Sequence, residues 1–372
     1  MTPPLACWGQ TPRGLTPQRI VVINPFGIGD LLFTLPLLYA IREANPATTL
    51  GLICNRRTEE LAAAFPVDWR FTFEKDEFRA RWRRSKREGL RHLAGVVCAV
   101  RRQRFDALID LSLGWHAGLA GWLAGIPKRV GFNHRQRGRF LTSSVPLSGF
   151  HQKPVAAYYL DLLPLLGIPP PKHLQSSLEL PRQAEENADT YLKSIGIAAH
   201  EPLLGVAPAG GTSWGPWASL KQWPPGNYTL LIKDLKGRLN SKILLIADAH
   251  EKALCQSIAQ NLPGAVHLAL QVPSLLTLGG ILKRCHLVVG NDSGPLHLAA
   301  ALGTKTVTLF GPADGSVYGP FPPSPIHRIV SKGLVCRPCY HNFRLPPCPW
   351  DNACLKTLSV SEVSRAIDSL CY

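Results

Sequence analysis

The stretch GNDSGPLHLAAALG, Gly290 to Gly303, concentrates residue types that can hold an anion. An apolar run, HLVV, leads into Asp292-Ser293-Gly294, and a helical pattern begins near Pro295, which is tolerated at a first helical position because its missing N–H has no intrahelical partner there. The free amides of such a helix start, at Ser293 and Gly294, make a phosphate site, and His297 falls within the first turn on the same side. The alternative is a plain N-cap by Asp292 or Ser293 beside a packed histidine. Upstream, APAGGTSWGPWASLKQWP (Ala207 to Pro224) offers a Gly-rich loop after a strand, with Thr212 and Ser213 hydroxyls and then Lys221. Its amides suit a diphosphate and its lysine the compensating charge, although an exposed loop with an ordinary lysine has the same composition. In IADAHEKAL, Glu251 follows a strand end, where a carboxylate takes ribose hydroxyls in nucleotide sites or simply complements a helix dipole.

The stretch INPFGIGDLLFTLPLL, Ile23 to Leu38, has the opposite charge logic. Asp30 stands at the head of an apolar helical run, where a carboxylate repels the phosphate that a helix N-terminus would otherwise attract.

The elements that must position these groups alternate. RIVVIN is a β-branched run of the kind buried in parallel sheets, and LLFTLPLLYAIREANP has helical period up to Pro46. TLGLICN and FDALIDLS read as strands, the latter followed by helical GLAGWLAGIP. The proline-rich LPLLGIPPPKHLQSSLELP (Leu163 to Pro181) reads as a linker. Beyond it PLLGVAPAG, SKILLIAD, GAVHLAL, HLVVGND and TKTVTLFG are strand candidates, interleaved with helices at 228–239, 251–261, 274–283 and 295–302. This predicts an α/β chain of two Rossmann-like domains, 19–175 and 176–372, after a disordered tail at 1–18, with ligands beyond the carboxyl ends of the strands in a cleft between them.

The 372 residues suffice for two such cores. Forty-one Lys+Arg against 25 Asp+Glu give a formal net charge of +16, which favours a polyanionic partner: nucleic acid, an anionic membrane surface or a phosphorylated substrate. MTPPLACWGQTPRGLTPQ lacks the apolar core of a secretory signal, which places the expected site of action in the cytosol. Ten cysteines there do not argue for a disulfide framework.

Taken together, GIGDLLFTLPLL, FDALIDLSLGWHAGLAGWLAGIPKRVGF, SLKQWPPGNYTLLIKDL, VVGNDSGPLHLAAALGTKTVTLFGP, CRPC and CLKTLSVSEVSRAI resemble glycosyltransferase family nine, the ADP-heptose:lipopolysaccharide heptosyltransferases, from about Arg19 to the C-terminus. The resemblance implies a GT-B fold and inverting transfer of a heptose from a nucleotide diphosphate donor to the core oligosaccharide of lipid A. Asp30 matches the family's general base, which takes a proton from the acceptor hydroxyl. By the same match Lys221 and His297 contact the donor phosphates, the amides of Ser293 and Gly294 assist, Asp292 holds sugar hydroxyls and Glu251 the ribose. No D-x-D motif for a divalent ion occurs in the chain, so metal-independent chemistry without a cofactor is the expectation. Asn24 stands where many members carry arginine in the first loop.

Between Arg79 and Arg104 the sequence holds ten Lys/Arg against Glu88 alone, including Arg81, Arg83, Arg84 and Lys86. In the acceptor-binding half this run suits a phosphorylated acceptor or an anionic leaflet, at the inner face of the inner membrane, as well as a merely solvated face. Cys336-x2-Cys339-x8-Cys348-x5-Cys354 matches a four-thiolate zinc site in count, but the second pair is not a tight C-x2-C, so packed or redox-labile thiols are expected. The competing readings are the same fold using another sugar nucleotide for a different surface glycan, and an RNA- or membrane-binding module without activity. Retention of Asp30, Lys221, Asp292 and His297 speaks against the second, as does the lone aromatic Trp82 within the basic run. A nicotinamide enzyme would need a third glycine where Leu32 stands.

Overall fold

The computed structural model describes residues 16–371. Most of the predicted N-terminal tail, residues 1–15, lies outside the described residues. The first sheet contains β1 (Arg19–Ile23), β2 (Thr49–Cys54), β3 (Trp69–Thr72), β4 (Ala107–Asp110), β5 (Lys128–His134) and β6 (Ser143–Leu147), all parallel in the order β3-β2-β1-β4-β5-β6. Its helices are α1 (Ile28–Leu32), α2 (Leu35–Ala44), α3 (Lys75–Arg84), α4 (Lys86–Arg102) and α5 (Trp115–Leu123). After α6 (Val155–Leu160) and α7 (Arg182–Ser194), the second sheet is built from β7 (Leu203–Ala207), β8 (Lys242–Ala247), β9 (Val266–Leu270), β10 (Leu287–Asn291), β11 (Lys305–Leu309) and β12 (His327–Val330). Its order is β12-β11-β10-β7-β8-β9, again parallel. The accompanying helices are α8 (Pro225–Arg238), α9 (Lys252–Gln260), α10 (Leu275–Arg284), α11 (Gly294–Ala301), α12 (Gly315–Tyr318), α13 (Ala353–Lys356) and α14 (Val360–Cys371).

Both sheets therefore have the strand order of dinucleotide-binding folds, which reverses beside the first strand of each. Register puts Ile23 of β1 level with Ile53 of β2 and Asp110 of β4, so the loop carrying Asp30 leaves the sheet at its reversal point. In the second sheet Gly290 of β10 is level with Ala207 of β7, and the loops after these two strands emerge side by side.

The single helix expected after β1 is two helices. Pro36 has no N–H to continue the ladder from α1, so α2 starts afresh with proline in its first turn. The linker is not free: Leu178 is buried, its N–H donates to the Ala301 carbonyl at 2.8 Å, and Tyr39 donates to the Ser177 carbonyl at 2.9 Å. α7 packs closely on α10 through Ala184 and Ala188, where a Cβ on Gly280 would come within 2.6 Å of both helices' neighbours. One buried apolar cluster runs from the first sheet through α1, α11 and α10 into the second. Among the described residues, no helix is long and apolar enough to cross a membrane.

Trp223 anchors the opposite face of the second sheet. It is fully buried, packs edge-on against Tyr228 at 4.9 Å, and its indole N–H donates to the Leu358 carbonyl at 2.8 Å. Trp223→Phe strands that buried carbonyl and is expected to lower the unfolding free energy by about 1–3 kcal/mol, read from urea denaturation. An unchanged midpoint would show that water repairs the lost bond.

Candidate active site

The loop Asn24 to Gly27 is held from within. Asn24 is fully buried; its amide donates to the Asp30 carbonyl at 2.8 Å and the Thr34 hydroxyl at 2.9 Å, and its oxygen accepts from the Phe26 N–H at 3.2 Å. Asn55, at the end of β2, donates to the Pro25 and Phe26 carbonyls from the other side. Asn24 thus fixes the entry and exit of the turn that presents Asp30, a role for which a flexible cation would be ill suited.

Asp30 borders the cleft between the two sheets. Desolvation by the surrounding protein raises its pKa above the usual 3.8, opposed by His297, Lys221 and a backbone hydrogen bond from Gly27, with Asp292 adding to the rise. The fully buried Tyr159 sits close enough for Asp30 to raise its phenol further after burial has done so.

Across the cleft, Asp292 leaves β10 and is buried between two partners. Its Oδ2 lies 2.8 Å from Lys221 Nζ and its Oδ1 3.1 Å from His297 Nε2. Burial would raise its pKa, but Lys221 and His297 outweigh that and hold it at about 2. An ionised Asp292 therefore favours the folded state at neutral pH, and this contribution is lost as pH falls from about 4 toward 2. Lys221 closes the 3-10 turn Thr212–Lys221 and stands 4.7 Å over the Trp214 ring. Trp214 in turn packs on Tyr340 at 4.7 Å, whose phenol is pushed up to about 12 by burial, with Asp30 and Asp292 adding. Asn291, next to Asp292, accepts from the Trp223 N–H at 3.0 Å and donates to the Pro208 carbonyl, tying the Lys221 turn to the strand end.

The start of α11 has the features of an anion site. Ser293 occupies its N-cap with an extended backbone, and its buried hydroxyl has no partner among the described residues. Gly211 has a positive φ of +76°, a Cβ there would lie 3.8 Å from the Ser293 Cβ, and its N–H donates to Glu251 Oε1 at 3.2 Å. Burial raises the Glu251 pKa, with Asp248 adding. A diphosphate at the α11 start would meet free amides and an unpaired hydroxyl, with Lys221 and His297 alongside. The two domains meet here: a Cβ on Gly29 would fall 2.7 Å from the His297 ring, which also packs edge-on against Phe33 at 5.2 Å.

The structure brings together Asp30, Lys221, Asp292, Ser293, Gly294, His297 and Glu251 around one cleft of about 1810 Å3. The backbone of Thr212 and Ser213 opens the 3-10 turn, while their side chains lie outside the described residues. Lys221 and His297 both contact Asp292, one on each carboxylate oxygen. Arg81, Arg83, Arg84 and Lys86 do not line the cleft. Arg81 pairs with Glu77 at 2.6 Å and Arg84 approaches Glu88 at 3.8 Å on the outer side of the α3–α4 hairpin. The cations that do line it in the first domain include Lys75, Arg79, Arg135 and Arg137. Asn24, Tyr159, Trp214 and Tyr340 escaped the sequence reading; only the substitution at Asn24 left a visible trace.

The four cysteines Cys336, Cys339, Cys348 and Cys354 lie near one another but differ in exposure. Cys336 and Cys348 are exposed, whereas Cys354 is turned into the core beneath β11, with its thiol 3.4 Å from the Asn352 side-chain oxygen. Among the described residues, no group of three or more His, Cys, Asp or Glu side chains is placed to hold a metal ion.

Two facing parallel sheets of this order, with an enclosed carboxylate on one side and an anion site on the other, define a GT-B glycosyltransferase. The sequence matches Glycosyltransferase family 9 (heptosyltransferase) over residues 95–345, and the chain belongs to that family. Lipopolysaccharide heptosyltransferase 2 of Escherichia coli (strain K12) is 23% identical over 319 residues, covering 80% of this chain and 84% of that protein. Lipopolysaccharide heptosyltransferase 3 of the same strain is 21% identical over 306 residues, covering 79% and 82%. Among solved structures, a family 9 glycosyl transferase from Veillonella parvula DSM 2008 superposes with a TM-score of 0.77 at 20% identity, covering 95% of this chain and 97% of that one. The E. coli ADP-heptose lps heptosyltransferase II reaches 0.73 at 20% identity, covering 95% and 98%. These likenesses establish the GT-B fold.

The unpartnered Ser293 hydroxyl gives a direct test. Ser293→Ala is expected to leave the melting temperature unchanged or slightly raised, since no internal bond is lost, and to weaken ADP binding by roughly tenfold or more, as hydrogen bonds to charged groups are worth about 1.5–3 kcal/mol. Equal ADP affinity in titration calorimetry would place the phosphates elsewhere.

Proposed function

We propose that this chain transfers a heptose from ADP-heptose to the core oligosaccharide of lipopolysaccharide, with inversion at the anomeric carbon and without a divalent metal. One observation carries the reading: Asp30, with a raised pKa, borders the same cleft as the Lys221–Asp292–His297 triad and the vacant amides and hydroxyl at the start of α11. The relatives named above, lipopolysaccharide heptosyltransferases 2 and 3, support the choice of sugar and acceptor.

In this reading the donor diphosphate rests at Ser293 and Gly294, with Thr212 and Ser213 nearby. Lys221 and His297 neutralise the charge that develops as the sugar leaves. Asp292 holds Lys221 and His297 in place and its remaining lone pairs accept from sugar hydroxyls, while Glu251 takes the ribose. Asp30 accepts the proton of the acceptor hydroxyl as that oxygen attacks the anomeric carbon from the face opposite the diphosphate. The acceptor lies in the first domain, 19–175, and the donor in the second, 176–372. The exposed Arg81, Arg83 and Arg84, with Lys86, would rest against the anionic inner face of the inner membrane.

Released nucleoside diphosphate, measured over a donor panel with a core acceptor, is expected to be greatest with ADP-heptose and undiminished by excess EDTA. Preference for a uridine-linked sugar would turn the assignment toward another surface glycan, and loss of rate restored by Mg2+ would refute metal independence.

Asp30→Asn is expected to lower kcat by about 10²–10⁴-fold while nucleotide affinity stays nearly unchanged. Because a base must be ionised and burial raises the pKa of this one, the wild-type rate should fall on the acid side with an apparent pKa above 3.8. That limb should vanish in the residual activity of the variant. An asparagine variant retaining more than about a tenth of the wild-type rate would remove Asp30 from the base role.

A further inference from the structure

The cleft continues away from Asp30 into an apolar hollow over one face of the first sheet. Its floor is Val21 of β1 and Leu108 of β4; Leu93 and Val97 of α4 line one side, and Ala120 and Leu123 of α5 the other. α4 is amphipathic, with Leu90, Leu93, Val97 and Val100 in one stripe, yet only Gly89 and Val100 of its seventeen residues are buried. Val100 closes on the strands and Val97 packs partly against that core, whereas Leu90 and Leu93 border the hollow. The core cluster beneath it has nine buried residues, the helix touches β3 and α5 only sparsely, and Leu90 and Leu123 remain 54% and 44% exposed at the outer end.

A basic mouth adjoins this hollow. Lys75, Arg137, Arg139 and Arg79 converge on His116; burial and then these four cations lower its pKa. Arg79 approaches Asp76 at 3.7 Å and Arg139 stands over the Trp115 ring at 4.6 Å, while Lys75 and Arg137 have no ion pair among the described residues. Four cations around one imidazole, of which Arg79 has only Asp76 near it at 3.7 Å, call for an anion, and a hydrocarbon-lined space beside them calls for an unbranched apolar chain. From Leu90 to Val100 the stripe runs about 15 Å at 1.5 Å per residue.

We propose that this hollow takes one acyl chain of an anionic lipid-linked acceptor, whose phosphate sits at Lys75, Arg79, Arg137 and Arg139. This rests on the reading that the first domain binds the acceptor, and it adds that the enzyme recognises the lipid as well as the sugar. Charge complementarity selects this occupant: a neutral chain would leave the mouth unanswered.

The probes are tetradecyl phosphate and butyl phosphate, both below micellar concentration, titrated into the full chain. Tetradecyl phosphate is expected to bind saturably and at least tenfold more tightly than butyl phosphate. Val97→Trp, which fills the hollow, should weaken the long-chain ligand at least tenfold and leave butyl phosphate unaffected; Arg137→Gln should weaken both. Ala120→Leu fills the space from the opposite wall and serves if the tryptophan variant does not fold, with retained ADP binding as the check on folding. Equal affinity for both probes, or long-chain binding that neither filling variant alters, would overturn the proposal. So would a dimer, seen by sedimentation, that the filling variants dissolve without any long-chain binding, since the hollow would then belong to a second copy of the chain. Transfer from ADP-heptose separates this from the functional reading. Long-chain binding without any transfer to a core acceptor would sink the activity and keep the lipid site. Transfer with equal kcat/KM on acylated and deacylated acceptors, in wild type and Val97→Trp alike, would sink the lipid site and keep the activity.

Discussion

The site depends on burying one carboxylate between two partners. Asp292 is almost fully enclosed, and an unpaired charge there would be strongly destabilising, so Lys221 and His297 are required as much by folding as by chemistry. Those partners come from separate parts of the chain: Lys221 ends the turn after β7, Asp292 follows β10, and His297 lies one turn into α11. The ion triad therefore fixes the spacing of the two loops that border the anion site. It also sets Asp292 apart from Asp30. Asp292 is held at about 2, while Asp30, lacking a direct cation partner, is raised by desolvation. Carboxylates whose environments push their pKa values apart can serve different roles in one site.

The same triad carries the contact between domains. His297 sits where any side chain on Gly29 would collide with it, and Ile28 meets Gly294 from the other side. α1 and α11 thus face each other by their N-termini, and the absence of side chains at Gly29 and Gly294 lets them approach. The start of α11 and the Asp30 carboxylate border this confined space from opposing walls. Asn24 completes the arrangement by holding the Asp30 carbonyl, so the position of Asp30 is set through the backbone.

Much of the fold was legible because the central strands of both sheets are buried on two faces and read as continuous apolar runs: β1, β2, β4, β7, β8, β10 and β11. The edges were not. β3 is WRFT with its first two residues exposed, β6 contains Pro146, and β12 carries Arg328, all signatures of strands with one open side. α7 escaped because its buried stripe is largely alanine, which periodicity in large apolar residues does not reveal. The members of the site could be named one at a time from helix starts and strand ends. Their closure into an ion triad could not, because pairing across the sheet reversal depends on register that no local pattern contains.

The two sheets differ in how their second faces are covered. In the second domain α8, α9 and α14 close over the strands with Trp223, Tyr228 and Ile367 fully buried. In the first domain the corresponding cover is α4 and α5, and α4 carries enough leucine and valine to close in the same way, yet most of that stripe is only partly buried. Its outer face is dense in arginine, with Arg87, Arg91, Arg101 and Arg102 exposed, and mutual repulsion along one helix costs more when the helix is pressed into a compact shell than when it faces an anionic surface. The two faces of α4 thus ask for different things: an apolar chain in the hollow would cover the stripe and carry its negative head at Lys75, Arg79, Arg137 and Arg139, while the arginines on the opposite face lie outside the hollow and suit a broad anionic surface.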